Sequence, residues 1–278
     1  MRNQRTYWNE KTALVTGGSS GIGLAIAVSL VRQGASVWMM ARHTERLERA
    51  LANLKCEPSQ MCGILSADVS DATQVNEALE QITSQAGVPD LVVNSAGVAQ
   101  PGYFLDLSLD VFQEMMATNY FGTVNVSKAV LPGMAARRSG HIINIASLAA
   151  VVSLIGYSAY GASKYAVRGF SDVLRAELKP MGIRVSIVYP PDTDTPQLEY
   201  ENRFKPPETK EIVGMASVMS PQAVAEVTLR EAAKGRYVIL PGWEAKFLYH
   251  LIGIAGNAVY PVMDWLVQRA RRKLGMPS

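Results

Sequence analysis

The sequence predicts an α/β fold: a doubly wound parallel sheet flanked by helices, followed by a helical C-terminal extension. Three observations predict it. Short apolar runs alternate with longer helical patterns from the start of the chain. A glycine-rich turn, Thr16-Gly17-Gly18-Ser19-Ser20-Gly21-Ile22-Gly23, stands between the first run and the first helical pattern. With 278 residues, 48% hydrophobic and 18% charged, the chain can bury one large core.

Residues 12–16 read as a buried strand, followed by the glycine turn and a helix over 21–33 that Gly34 closes. A second strand is expected over 35–41, a helix over 45–54, a third strand over 61–67 and a helix over 71–85. Residues 91–93 form a fourth strand, and two helical stretches follow over 109–119 and 122–137. Then come a strand over 141–146, a long helix over 157–181 and a strand over 183–189. A helix over 221–234 and a last strand over 237–240 complete the pattern. Parallel strands need crossover helices, which cover both faces of the sheet. The order is that of a Rossmann-type domain spanning residues 1–241, with residues 242–278 as an extension.

Several classes of function are excluded. The formal net charge is only +3, with no finger, basic stripe or aromatic-rich basic segment, so nucleic acid is not an expected partner. Cys56 and Cys62 lack CxxC spacing and a neighbouring histidine cluster, so two free thiols in a reducing compartment are expected. His43, His141 and His250 are widely separated and form no metal-ligand motif. The polar segment 1–11 lacks the apolar run of a secretory signal, making a cytoplasm-facing protein the expectation.

The glycine turn carries the first functional signal. Glycines let the backbone turn tightly and approach a pyrophosphate, whose charge the helix N-terminus favours. The strand-turn-helix context turns a weak motif into a dinucleotide site. After the second strand comes Arg42, where a domain preferring NAD carries an acidic residue for the ribose hydroxyls. An arginine there can form a charge-assisted fork to a 2′-phosphate, and Arg46 lies one helical turn on. The competing reading is two solvated arginines at a helix start. NADPH is the expected cofactor.

Tyr160 and Lys164 are four residues apart on one expected helix, so both side chains leave the same face. Ser147 ends the preceding strand, at the carboxyl edge where doubly wound sheets bind ligands. Ketone reduction asks for these groups, because hydride delivery leaves an alkoxide that needs a proton and a hydrogen bond. A free tyrosine titrates near pH 10. A cation within ~4–6 Å lowers that by ~1–3 units, so Lys164 is expected to depress the Tyr160 pKa. Ser147 can hold the carbonyl oxygen.

With these motifs in this order, the sequence resembles the classical short-chain dehydrogenase/reductase family from about residue 11 to 240. The matching elements are the glycine turn (Gly17, Ser19, Ser20, Gly21, Ile22, Gly23), Asp68-Val69, Asn94-Ser95-Ala96-Gly97, Asn119, Ser147 and Tyr160-Gly-Ala-Ser-Lys164. The resemblance implies that Asp68 and Val69 contact the adenine. It implies that Asn94 steadies the central sheet beside the cofactor, with Ala96 and Gly97 in the same cofactor-binding turn. Asn119 would hold a water in a proton relay through Lys164, which also bonds the nicotinamide ribose. Ser95 departs from the family, which usually has a second asparagine there.

The segment Tyr189-Pro190-Pro191-Asp192-Thr193-Asp194-Thr195-Pro196 is less common, because the family usually has glycine where Pro191 stands. The loop should cover the nicotinamide, with Pro190, Thr193 and Thr195 near its carboxamide or pyrophosphate. Together with residues 201–203 and 205–209 it resembles a branch of the family that reduces a long-chain 3-keto lipid with NADPH. Two alternatives stay open: a reductase of another apolar ketone (a steroid or 3-oxoacyl compound), and a non-enzymatic dinucleotide-binding scaffold. The retained Ser147, Tyr160 and Lys164 argue against the second.

In the extension, His250, Asn257, Pro261 and Asp264 interrupt any span of ~20 apolar residues. Met263, Leu266, Val267, Ala270 and Leu274 recur at helical spacing, with Arg269, Arg271, Arg272 and Lys273 largely elsewhere on that helix. Such a basic amphipathic helix suits peripheral contact with a membrane interface, or packing on the core or a second subunit. The resemblance further implies a homo-oligomer, a dimer or tetramer.

Overall fold

A computed structural model describes residues 7–152, 154–214 and 217–277. Its strands are β1 (Thr12–Thr16), β2 (Ser36–Ala41), β3 (Cys62–Ser66), β4 (Leu91–Asn94), β5 (Gly140–Ile145), β6 (Ile183–Val188) and β7 (Val238–Ile239). All pair in parallel in the order β3-β2-β1-β4-β5-β6-β7. The helices between them are α1 (Gly21–Arg32), α2 (Thr44–Ala52), α3 (Ala72–Ala86), α4 (Leu109–Met115), α5 (Gly122–Ala136) and α6 (Ser158–Leu178). Five more follow β6: α7 (Pro196–Phe204), α8 (Pro207–Val213), α9 (Pro221–Ala233), α10 (Trp243–Ala255) and α11 (Val259–Lys273).

The expected doubly wound sheet is present, and side-chain alternation divides its core. Ala13 and Val15 of β1 face α1 and α9, whereas Leu14 faces α3, α5 and α6. Both faces are therefore buried, as continuous apolar strands require.

Three features differ from expectation, and one alternative for the extension is realised. Residues 196–204 and 207–213 are helical where the sequence pattern assigns no element; Thr195 caps the first by accepting from Leu198 N, and prolines start both. Residues 109–136 form one continuous helical rod, joined through a π-helical turn at Met116–Phe121. Cys56 and Cys62 are not free: they form a disulfide, with Cα atoms 6.6 Å apart. Gln60 donates to Val31 O and Ala35 O at 2.8 Å, folding the loop before β3 back so that its cysteines meet. With both thiols paired, these cysteines do not point to a reducing compartment. Finally, the end of α11 packs on α8: Ala270 is buried, and Arg271 and Lys273 pair with Glu208 at 3.6 Å and Glu211 at 2.6 Å.

Candidate active site

The strand order reverses between β1 and β4, opening a crevice at their carboxyl ends where ligands of such sheets bind. The turn after β1 forms one wall. Gly17 has φ +65°, and a Cβ there would lie 2.9 Å from Ala96 Cα and Ser95 O. The Thr16 hydroxyl accepts from Ser95 N and Ala96 N at 3.0 Å, stapling this turn to the one after β4. Gly21 (φ +54°) opens α1, and a Cβ on it would stand 3.1 Å from the Thr195 methyl. Ser20, the N-cap, makes no side-chain cap, leaving the first amides of α1 to face an anion. The loop after β6 thus arches over the phosphate turn. These close backbone approaches, where side chains would not fit, suit a pyrophosphate cradle and place Gly17, Ser19, Ser20, Gly21, Ile22 and Gly23 along it.

The remaining predicted cofactor residues divide into those at the crevice and those behind it. Arg42 follows β2 and Arg46 lies in the first turn of α2; both are exposed, and among the described residues neither guanidinium has a carboxylate partner. Asp68 and Val69 follow β3, with Asp68 bracing Ser70 and Val69 O accepting from Asn125. Gly97 faces Asn119 and Lys164: a Cβ there would sit 3.2 Å from Asn119 Oδ1 and 3.5 Å from Lys164 Nζ. The Asn94 side chain is spent behind the crevice, donating to Asn144 at 2.9 Å. Thr193 is buried and donates to Pro191 O, beside Pro190 at the sheet edge.

The candidate acid-base groups converge. Tyr160 and Lys164 are both buried on the inner face of α6, and Lys164 Nζ lies 5.6 Å from the Tyr160 ring centroid. Lys164 donates to Ile145 O at 3.0 Å, which fixes the ammonium at the end of β5. Ser147 follows β5 and its hydroxyl meets the Tyr160 phenol. Asn119 sits in the π-helical turn, donating to Ser163 Oγ at 2.8 Å and Val98 O at 3.0 Å while accepting from Val98 N at 2.8 Å.

The expected depression of the Tyr160 pKa is not found. Burial pushes the phenol well up from 10 and the Glu201 charge adds to this, outweighing the hydrogen bonds from Ser147 and Gln197 that pull it down. Lys164 stands over the ring, its ammonium 5.6 Å from the centroid. Its own pKa falls to about 8 because burial disfavours the ammonium, partly offset by Glu201. The consequence is a phenol that stays protonated, as a proton donor must.

The sequence reading overlooked the acidic partner in this site. Glu201, on α7, accepts from Tyr157 Oη at 2.8 Å and Gln197 Nε2 at 2.9 Å. Its signal was Thr195-Pro196, an N-cap followed by proline, which starts the helix that turns Gln197 and Glu201 onto one face.

Comparison with known proteins agrees with this geometry. The model of the short chain dehydrogenase family matches residues 11–206. A 3-ketodihydrosphingosine reductase of Bos taurus is 39% identical over 228 residues, 81% of this chain and 69% of that protein. A 3-dehydrosphinganine reductase of Danio rerio is 38% identical over 233 residues, 82% of this chain and 70% of that protein. The crystal structure of levodione reductase superposes with a TM-score of 0.79 at 25% identity, covering 86% of this chain and 98% of that one. Fold, glycine cradle and relatives lead to one conclusion: this chain belongs to the short-chain dehydrogenase family, oxidoreductases that work with a nicotinamide dinucleotide.

Proposed function

We propose that this chain reduces 3-ketosphinganine to sphinganine, with NADPH as the reductant and Tyr160 as the proton donor. The observation that carries the reading is the convergence of Ser147, Tyr160 and Lys164 beside the glycine cradle, in a chain whose relatives bear the name of that reductase. The glycine turn holds the pyrophosphate, Asp68 and Val69 flank the adenine, and the loop carrying Pro190, Thr193 and Thr195 closes over the nicotinamide. Arg42 and Arg46, both exposed and without carboxylate partners among the described residues, favour a 2′-phosphate and hence NADPH. When bound, NADPH supplies the hydride that turns the ketone carbon into a carbinol carbon. Ser147 donates to the carbonyl oxygen, and Tyr160 gives that oxygen its proton as charge develops there. Lys164 and a water held at Asn119 return a proton to the phenolate.

Residues 1–241 form the catalytic unit in this reading, and residues 242–278 bring it to a membrane surface as a peripheral protein. No helix among the described residues is long and apolar enough to cross a bilayer. Exposed Phe121, Tyr165 and Val173 provide an apolar surface for assembly as a dimer or tetramer.

The test is NADPH oxidation with 3-ketosphinganine, set beside a steroid ketone, a 3-oxoacyl thioester and NADH. Preference for 3-ketosphinganine and NADPH supports the proposal. A higher kcat/KM with either other ketone, or with NADH, overturns the corresponding part.

A further inference from the structure

We infer that Glu201 is the specificity-determining residue of this site, receiving the ammonium group next to the ketone of an α-amino ketone substrate. The inference rests on the functional reading above and deepens it.

Glu201 is 7% exposed, and its two hydrogen-bond partners, Tyr157 and Gln197, are neutral. Two buried cations support it only through space: Lys205, which pairs with Asp192 at 3.3 Å, and Lys164, which donates to Ile145 O. A buried carboxylate whose hydrogen-bond donors are all neutral is costly, and burial outweighs those bonds and the Lys205 charge to push its pKa upward. Structural braces rarely need that charge, since a neutral amide would hold Tyr157 as well.

Its placement explains the charge. Gln197 contacts both Glu201 and the Tyr160 phenol, so one side chain separates the carboxylate from the group that protonates the substrate oxygen. The Tyr157 and Tyr160 ring centroids lie 5.7 Å apart. Glu201 raises the Tyr160 pKa and supports the charged form of Lys164, so its field reaches the reacting atoms. In 3-ketosphinganine the amino group is on the carbon bonded to the carbonyl. An oxygen held by Ser147 and Tyr160 therefore leaves the ammonium in the neighbourhood of Glu201. Once paired, the carboxylate no longer opposes development of negative charge at the reacting oxygen. A neutral ketone leaves it uncompensated, and an anionic one is repelled.

The test crosses two ketones with two proteins, the full-length enzyme and Glu201→Gln. The ketones are 3-ketosphinganine and its deaminated counterpart, 1-hydroxyoctadecan-3-one. The wild type should show kcat/KM for the amino ketone higher by roughly tenfold or more, as loss of a charged hydrogen bond predicts. In Glu201→Gln that advantage should vanish, through a higher KM for the amino ketone and a kcat/KM for the deaminated ketone that rises because the opposing charge is gone, with the Kd for NADPH retained. Equal loss on both ketones with that Kd retained would make Glu201 a structural brace and overturn the inference. The wild-type comparison decides even if the variant folds poorly: equal kcat/KM for the two ketones sinks the ammonium site and leaves the reductase reading standing. A wild type inactive on 3-ketosphinganine but active on the deaminated ketone overturns both.

Discussion

Tyr160 and Lys164 divide the work of proton transfer in a way that spacing alone does not show. Four residues on one helix bring them together, but burial decides their protonation: it raises the phenol and lowers the ammonium to about 8. The phenol is therefore protonated throughout the working range, and the residue whose charge changes is Lys164. As pH rises through about 8, Lys164 loses its proton, and with it the charge that stabilises a phenolate after proton donation. We expect kcat to fall along a single limb above that pH. Tyr160→Phe should retain NADPH binding by fluorescence titration while kcat drops by about 10²–10⁴, the usual contribution of a positioned acid. Undiminished turnover in Tyr160→Phe, or a kcat flat through pH 9, would remove the pair from the mechanism.

At the scale of elements, the strands were legible because a buried parallel strand announces itself as an apolar run. The glycine turn and the Tyr160–Lys164 helix were legible because their chemistry depends on local spacing. What sequence could not show depends on contacts between elements. The charged, proline-rich segment 196–213 holds two helices, each opened by a proline and the first capped by Thr195, and Glu201 is buried only because α7 folds down beside Tyr157. The disulfide likewise follows from Gln60 tying its loop to the end of α1, not from cysteine spacing. His141 belongs to the same class. At the start of β5 it is buried against Trp8, with Nε2 2.9 Å from Ser186 Oγ and no partner for Nδ1. Burial, aided by Arg184, lowers its pKa from 6.5 to about 3. The unfolded chain therefore binds a proton below 6.5 that the folded chain refuses until about 3. Stability is fully present above 6.5 and is lost as pH falls through that window, by about 2 kcal/mol between pH 7 and pH 5. Urea unfolding at those two pH values should show the loss, and His141→Phe should flatten it. An unchanged slope in that variant would assign the acid sensitivity elsewhere.

For the molecule as a whole, the C-terminal extension packs one stripe on the rest of the chain and leaves another exposed. Its end is fastened to the catalytic unit by Ala270, Arg271 and Lys273, and Arg271 meets Glu208, which also takes the Tyr103 hydroxyl at 2.5 Å. Helix α10 also buries Ala245 and packs Tyr249 and Ile252 on the core, but its other face and that of α11 are open: Trp243 is 73% exposed and Ile254 87%, with Phe247, Tyr260 and Trp265 also exposed. Five large apolar side chains in two consecutive helices exceed the scattered exposure normal for a soluble surface. Cations at Arg269 and Arg272 complete the composition of an interfacial helix. A long-chain keto lipid resides in a bilayer, so an enzyme docked there meets its substrate without extracting it into water. Flotation of the full-length protein with anionic phospholipid vesicles should carry it to the top of the gradient. The double variant Phe247→Ser, Trp265→Ser should weaken that partition by about tenfold or more, since each ring forfeits burial in the interface. Both residues lie outside the acid-base site, so turnover of a short, water-soluble ketone should be unchanged. Equal flotation of the two proteins would mean that these helices hold the protein by some other face, and the membrane role would be withdrawn.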